Sequence, residues 1–311
     1  MPIDPLAKRF LEMMAAARPG DRARASLGER RNALTKLMQF VRVDRATGPG
    51  NDGVMPGPAG DIAYRLYRPA NESRQPAPGF VFFHGGGMVA GSIDTHDQIC
   101  RALSQETGCR LISVNYRLAP EHKFPAAVED AIAATRWVSR HAESLGVNPD
   151  KLVVGGDSAG ATLAAVVCQD ALRTAGIAVA LQCLICPVLD SGAMSPSRHA
   201  FAENYLIDKV ILDADLADYL PAGADPADPR ISPLRTANLA GLPPAIIHTA
   251  GFDPMRDEGN DYARRLMEAG VAVDHVCHDG MIHNFHALGA ILPQGRQVLH
   301  QIGEQVRRAV G

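Results

Sequence analysis

Six residues, Gly155-Gly156-Asp157-Ser158-Ala159-Gly160, join the apolar run Leu152-Val153-Val154 directly to a helix-forming run over 161–167. A buried strand that passes into a helix through so short a turn leaves the apex side chain projecting alone. The positions two residues to either side must then be almost free of side chain for the two segments to cross. Gly156 and Gly160 meet that demand around Ser158. A helix beginning at Ala159 points unpaired N–H groups and the positive end of its dipole at any negative charge that forms beside Ser158. Ser158 therefore reads as a nucleophile. The plainer reading is a glycine-rich turn that contains a serine by chance.

Around this turn, from about residue 61 onward, short apolar stretches alternate with longer amphipathic ones. Strands are expected at 62–67, 80–83, 111–116, 152–154, 179–186, 245–249 and 271–277, and helices at 125–145, 159–174 and 257–269. Strands separated by helices of this length pair in parallel with right-handed crossovers, which predicts an α/β, doubly wound sheet with reactive groups at the carboxyl ends of its strands. Two segments break the rhythm. Residues 1–45 are helical in pattern, and residues 191–235 run through a helix at 207–220 into a loop rich in Pro and Asp. Packed together as a lid, Phe10, Leu11, Met13, Met14, Phe201, Tyr205 and Leu206 would give a pocket a greasy wall; ordinary surface helices are the alternative. The stretch 48–60, rich in Gly and Pro, reads as a connector.

Charge and cysteine content exclude several function classes. A formal net charge of -3 offers no footprint for nucleic acid or an anionic membrane. No apolar run reaches the length of a membrane span, and acid and proline near Met1 interrupt any secretory signal, so a cytoplasmic protein without stable membrane insertion is expected. Six cysteines are too sparse for a disulfide scaffold. Cys183 and Cys186 form a C-x-x-C, but on a strand positions three apart point to opposite faces, so no metal site is expected there.

A serine hydroxyl attacks only when an imidazole takes its proton, and that imidazole needs a carboxylate to orient it. Of eleven histidines the best placed is His283, in a loop just past the last expected strand; His278, still on the strand, and His286, inside a helical turn, are the runners-up. Asp253 follows the strand at 245–249, and Pro254 holds it extended, which sends the carboxylate outward. Asp190 is the rival acid, while Asp257 and Glu258 suit the first turn of the following helix. His84-Gly85-Gly86-Gly87 follows another strand, and its glycines let backbone N–H groups approach a substrate. With Ala159, Gly86 and Gly87 would supply the donors of an oxyanion hole, His84 bracing the loop.

Five stretches then occur in one order: His84 to Ser92, Ser113 to His122, Gly156 to Gly160, Asp253 to Gly259, and Gly280 to His283. From about residue 60 to its end the chain resembles the bacterial hormone-sensitive-lipase family of α/β-hydrolase carboxylesterases. The resemblance implies an α/β-hydrolase fold, a mostly parallel central sheet flanked by helices with a helical cap. It implies Ser158 as nucleophile, Asp253 as acid, His283 as base, and Gly86, Gly87 and Ala159 as oxyanion donors. Residues 1–45 and 191–235 would form the cap, and 46–190 and 236–311 the core. The implied activity is hydrolysis of short-to-medium-chain acyl esters through an acyl-enzyme, with no cofactor and no metal, by a homodimer paired through its last strand and helix. An amide, lactone or thioester substrate on the same triad, or ligand binding without catalysis, are the alternatives. Met88 and Phe252 depart from the family's usual aromatic and tyrosine, which bears on pocket shape, and Asp157 reads as a structural hydrogen-bonder.

Overall fold

Residues 80–83 are apolar at every position and divide by parity: Val81 and Phe83 belong to one buried core, Phe80 and Phe82 to another. That division marks a strand covered on both faces. The computed structural model describes residues 1–17, 25–41, 50–70, 72, 76–174 and 176–311, and the expected boundary between 45 and 46 lies outside them. Its single sheet contains β1 (Asn51–Gly57), β2 (Gly60–Tyr67), β3 (Ala77–Phe83), β4 (Arg110–Val114), β5 (Val147–Asp157), β6 (Leu181–Ile185), β7 (Ala245–Phe252) and β8 (Val273–Ile282). The spatial order is β1-β2-β4-β3-β5-β6-β7-β8.

The helices are α1 (Pro5–Ala16), α2 (Leu27–Phe40), α3 (Asp97–Thr107), α4 (Ala126–Arg140), α5 (Ala142–Leu145), α6 (Ala159–Thr174), α7 (Pro196–Ala200), α8 (Lys209–Tyr219), α9 (Arg256–Glu268) and α10 (Pro293–Val310). Residues of α4, α6 and α9 fill one core, and those of α3 and α10 the other. Every residue from Ala159 to Ala171 is buried, so α6 is the central helix, and its few polar members are bonded, Thr162 to the Val188 carbonyl, Gln169 to the Pro233 carbonyl and Asp170 to Arg136. None of the described helices is long and apolar enough to cross a membrane.

Two expectations need correction. The stretch read as a connector contains β1, which alternates an exposed Val54 with a buried Met55. Its Gly and Pro conceal a strand because β1 is the edge of the sheet, where a missing N–H donor costs nothing. The sheet is mostly parallel, as expected, and its antiparallel pairs lie together at one edge. β1 pairs antiparallel with β2, and β2 antiparallel with β4. The β1–β2 connection between Gly57 and Gly60 is too short for a crossover and permits only a hairpin. The second correction is that the helix expected over 125–145 breaks at His141, whose Nδ1 contacts the Trp137 carbonyl at 2.9 Å while its ring stacks on Trp137.

Candidate active site

Ser158 stands between β5 and α6 with φ 53°, a left-handed conformation that turns its side chain out of the strand direction. The crossing is tight: a Cβ on Gly160 would lie 2.0 Å from the Phe83 carbonyl oxygen, so the end of β3 can pass only a glycine. The Ser158 N–H donates to the Ile185 carbonyl at 2.9 Å, and its own carbonyl accepts from Val188 at 3.3 Å. The turn is thereby tied to the end of β6.

Two loops at the carboxyl ends of β7 and β8 bring the other groups to the hydroxyl. Asp253 follows β7 directly, and its Oδ1 accepts the Met255 N–H at 2.8 Å, which aims Oδ2 away from α9. His283 follows β8 directly. Its Nδ1 lies 2.7 Å from Asp253 Oδ2 and its Nε2 lies 3.0 Å from Ser158 Oγ. A carboxylate only accepts, so Nδ1 carries the ring proton and Nε2 is the acceptor for the serine hydroxyl. All three side chains are buried.

The structure sends the competing residues elsewhere. Asp190 pairs with Arg235 at 2.7 Å. Glu258 is buried and bound by Arg198, while Asp257 accepts the Ser197 N–H. His278 lies 2.8 Å from His248, and burial pushes it down to about 4. His84 braces its loop as expected: its ring stacks on Tyr116, whose hydroxyl donates to the His84 carbonyl, and burial pushes the imidazole down to about 3. Cys183 and Cys186 do not diverge as strand residues would. Both belong to one core because the chain leaves β6 before Cys186, which takes φ 44°. The Cys186 sulfur, with Asp253 and His283, could hold a metal, all donor atoms lying within 4.8 Å. The carboxylate and imidazole, however, already bond each other at 2.7 Å, and the Nδ1 that would have to bind an ion carries the proton of that bond and has no lone pair to offer.

The loop after β3 turns beside the serine. Gly86 and Gly87 have φ 126° and 65°, and among the described residues no acceptor takes the N–H of Gly86, Gly87 or Ala159. Free N–H groups of this kind can stabilise negative charge that develops beside them.

Beneath that loop lies a cluster that sequence reading missed except for its acid. Asp157 Oδ1 accepts the Gly85 N–H at 3.0 Å, and Oδ2 lies 3.4 Å from His96 Nε2 and 3.7 Å from His286 Nε2. Burial favours the neutral acid, but the charge of His96 and the contacts with His286 outweigh it and hold the Asp157 carboxyl well below the usual carboxylate range. Asp157→Asn keeps a side chain for Gly85 but removes the anion between two imidazoles. It is expected to cost about 3 kcal/mol of stability. Because the folded carboxyl is the stronger acid, the gap from wild type should be full above the ordinary carboxylate range and close as pH falls below it. Urea midpoints across acid and neutral pH check both expectations.

A cavity of about 1010 Å³ opens over Ser158. Met13, Met14, Leu37, Phe40, Leu206 and Ile211 give it an apolar wall from α1, α2, α8 and the residues before α8. The greasy wall expected from sequence is thus only partly right. Phe10 is buried in the core of the sheet, and Phe201 and Tyr205 pack on Phe252. Met88 lines the cavity, whereas Phe252 is not among its lining residues and acts on pocket shape only through those aromatic neighbours.

Comparison with known proteins agrees with this geometry. Residues 80–287 match a family described as the alpha/beta hydrolase fold. The chain is 35% identical to the carboxylesterase NlhH of Mycobacterium tuberculosis over 99% of this chain and 96% of that one. It is 46% identical to the carboxylic ester hydrolase LipN of the same organism, over 74% of this chain but 62% of LipN. An ester hydrolase from the Lake Arreo metagenome, solved with a bipyridine phosphonate derivative, superposes with a TM-score of 0.95 at 41% identity and 98% coverage of both chains. The esterase of Pyrobaculum calidifontis superposes at 0.94 with 37% identity over the whole of both chains. With the fold, the order of its motifs and these likenesses in agreement, the chain belongs to the α/β-hydrolase fold family, among the carboxylesterases of the hormone-sensitive-lipase type.

Proposed function

We propose that this protein hydrolyses carboxylic esters of short-to-medium acyl chains through an acyl-enzyme on Ser158. The observation that carries this reading is the continuous contact from Ser158 Oγ through His283 to Asp253, at 3.0 and 2.7 Å, on the floor of an apolar cavity. In the first step Oγ bonds the ester carbonyl carbon as its proton passes to His283 Nε2. Asp253 keeps the ring oriented and stabilises the imidazolium. The carbonyl oxygen becomes an oxyanion facing the N–H groups of Gly86, Gly87 and Ala159. The C–O bond then breaks, the alcohol leaving with the proton from Nε2, and water repeats the sequence on the acyl-serine.

The segments carrying α1 and α2 and those carrying α7 and α8 act in this reading as the cap, since they supply the cavity's apolar wall. The relatives named carboxylic ester hydrolase and carboxylesterase, and the ethyl acetate hydrolase of Pseudomonas putida at 38% identity, support the substrate class. The finer expectation of a cytoplasmic homodimer belongs to the same proposal, and the outer edge of β8 beside α10 is the pairing surface it would use.

Initial rates on p-nitrophenyl esters from acetate to laurate, beside matched anilides and thioesters, test the reading. The expected result is a burst of p-nitrophenol equal to the enzyme concentration, then steady ester turnover with a chain-length optimum. Faster cleavage of the anilide or thioester would reassign the substrate, and no turnover of any of them would leave a binding protein.

A further inference from the structure

A charged pair stands beside the oxyanion loop without a part in the mechanism above. Asp215 of α8 and Arg30 of α2 both line the cavity over Ser158. The carboxylate packs on the loop itself, since a Cβ on Gly87 would lie 2.4 Å from Asp215 Oδ2. Arg30 Nε is 2.8 Å from Asp215 Oδ1 but out of line for a hydrogen bond, so the two interact chiefly through charge. Arg30 also binds Asp218 one turn further along α8.

An unpaired carboxylate at this place would oppose the reaction. The tetrahedral intermediate puts negative charge on an oxygen facing Gly86 and Gly87, and in a partly dry cavity like charges a few ångströms apart repel strongly. We propose that Asp215 and Arg30 are positioning residues for the oxyanion site: the carboxylate seats the cap on Gly87, and the guanidinium cancels its field where the oxyanion forms. The two cap segments then complete the site together, one bringing the anion and the other its compensation.

Other charges near Asp215 do not replace Arg30. Asp218, on the same helix, repels it. Lys123 is spent on the carbonyls of Ala217, Asp218 and Leu220, and Arg31 on Glu121. The loop presents only Gly87, and the His96 ring, which also lines the cavity, faces Asp157. Burial, opposed by Arg30, raises the Asp215 carboxyl to about 7, so the group is ionised on the alkaline side of neutrality.

The inference rests on the ester-hydrolysis reading, and the test separates the two. Wild type and Arg30→Met are assayed on one p-nitrophenyl ester from about pH 7 to about pH 10, with active sites counted by a phosphonate and folding followed by thermal midpoint. The expected result is a level alkaline arm for wild type and a fall of roughly tenfold or more for Arg30→Met as Asp215 ionises unpaired. Adding Asp215→Asn should restore the level arm; adding Asp218→Asn should not. Arg30→Lys should stay level. A level arm for Arg30→Met, or a loss equal at every pH that Asp215→Asn does not lift, overturns the proposal. If Arg30→Met does not fold, Arg30→Gln takes its place in the same pH series: an alkaline fall that Asp215→Asn lifts supports the proposal, and a level arm overturns it. Failure of wild type to cleave any ester would instead sink the underlying reading.

Discussion

Ser158→Ala is expected to lower kcat for p-nitrophenyl esters by about 10⁵ to 10⁶, with KM nearly unchanged. The methyl group removes the atom that bonds the carbonyl carbon, while the cavity walls and the donors of Gly86, Gly87 and Ala159 stay in place. Binding therefore survives the loss of chemistry. Residual turnover should reflect only positioning by the oxyanion donors, about 10³ to 10⁴ above water. Burst amplitude gives a second reading of the same variant: it should vanish, and an aryl phosphonate that labels wild type should leave the variant unmodified. A variant that keeps a few per cent of wild-type kcat, free of contaminating esterase, would move the nucleophile to another side chain.

Asp253→Asn is expected to lower kcat by about 10⁴ without disturbing the fold. The amide is close in shape to the carboxylate and can still accept the Met255 N–H through its oxygen. The group facing His283 Nδ1 would then be an NH₂ donor, which forces the imidazole into the tautomer with its proton on Nε2. That proton points at Ser158 Oγ, 3.0 Å away, so the ring can no longer take one. Residues acting as a unit do not add. Ser158→Ala with Asp253→Asn should therefore be no slower than Ser158→Ala alone. A loss below tenfold for Asp253→Asn would assign the orienting role to another acid.

Much of the site could be read from the chain because its parts are local. The turn at Ser158 is written in six consecutive residues flanked by an apolar strand and a helix, and the structure places both elements there. Asp253 and His283 were readable because each directly follows a strand, where this topology gathers its reactive groups. What escaped depends on distance or on an edge. Asp157 meets His96 and His286 only after three distant segments converge, and no spacing in the sequence records that meeting. Arg30 and Asp215 lie on two helices far apart in the chain, and nothing in their spacing pairs them. β1 was missed because an edge strand closed by a hairpin tolerates the very residues that signal a loop. The departure at Phe252 was likewise legible as a change but not as a place, since it works through Phe201 and Tyr205 rather than on the substrate.

In the proposed mechanism the position of the base has a cost in heat tolerance. His283 rides at the end of β8, the outermost strand on its side, whose first six residues are only half covered and whose sheet bonds run to β7 alone. Local opening starts where backbone bonds are fewest and most accessible to water. Ser158, the proposed nucleophile, sits instead between the buried end of β5 and the buried start of α6. On the proposed roles, warming is expected to loosen the strand that carries the proton acceptor before the turn that holds the attacking group, so ester turnover should fade below the melting midpoint when both are followed through one thermal ramp.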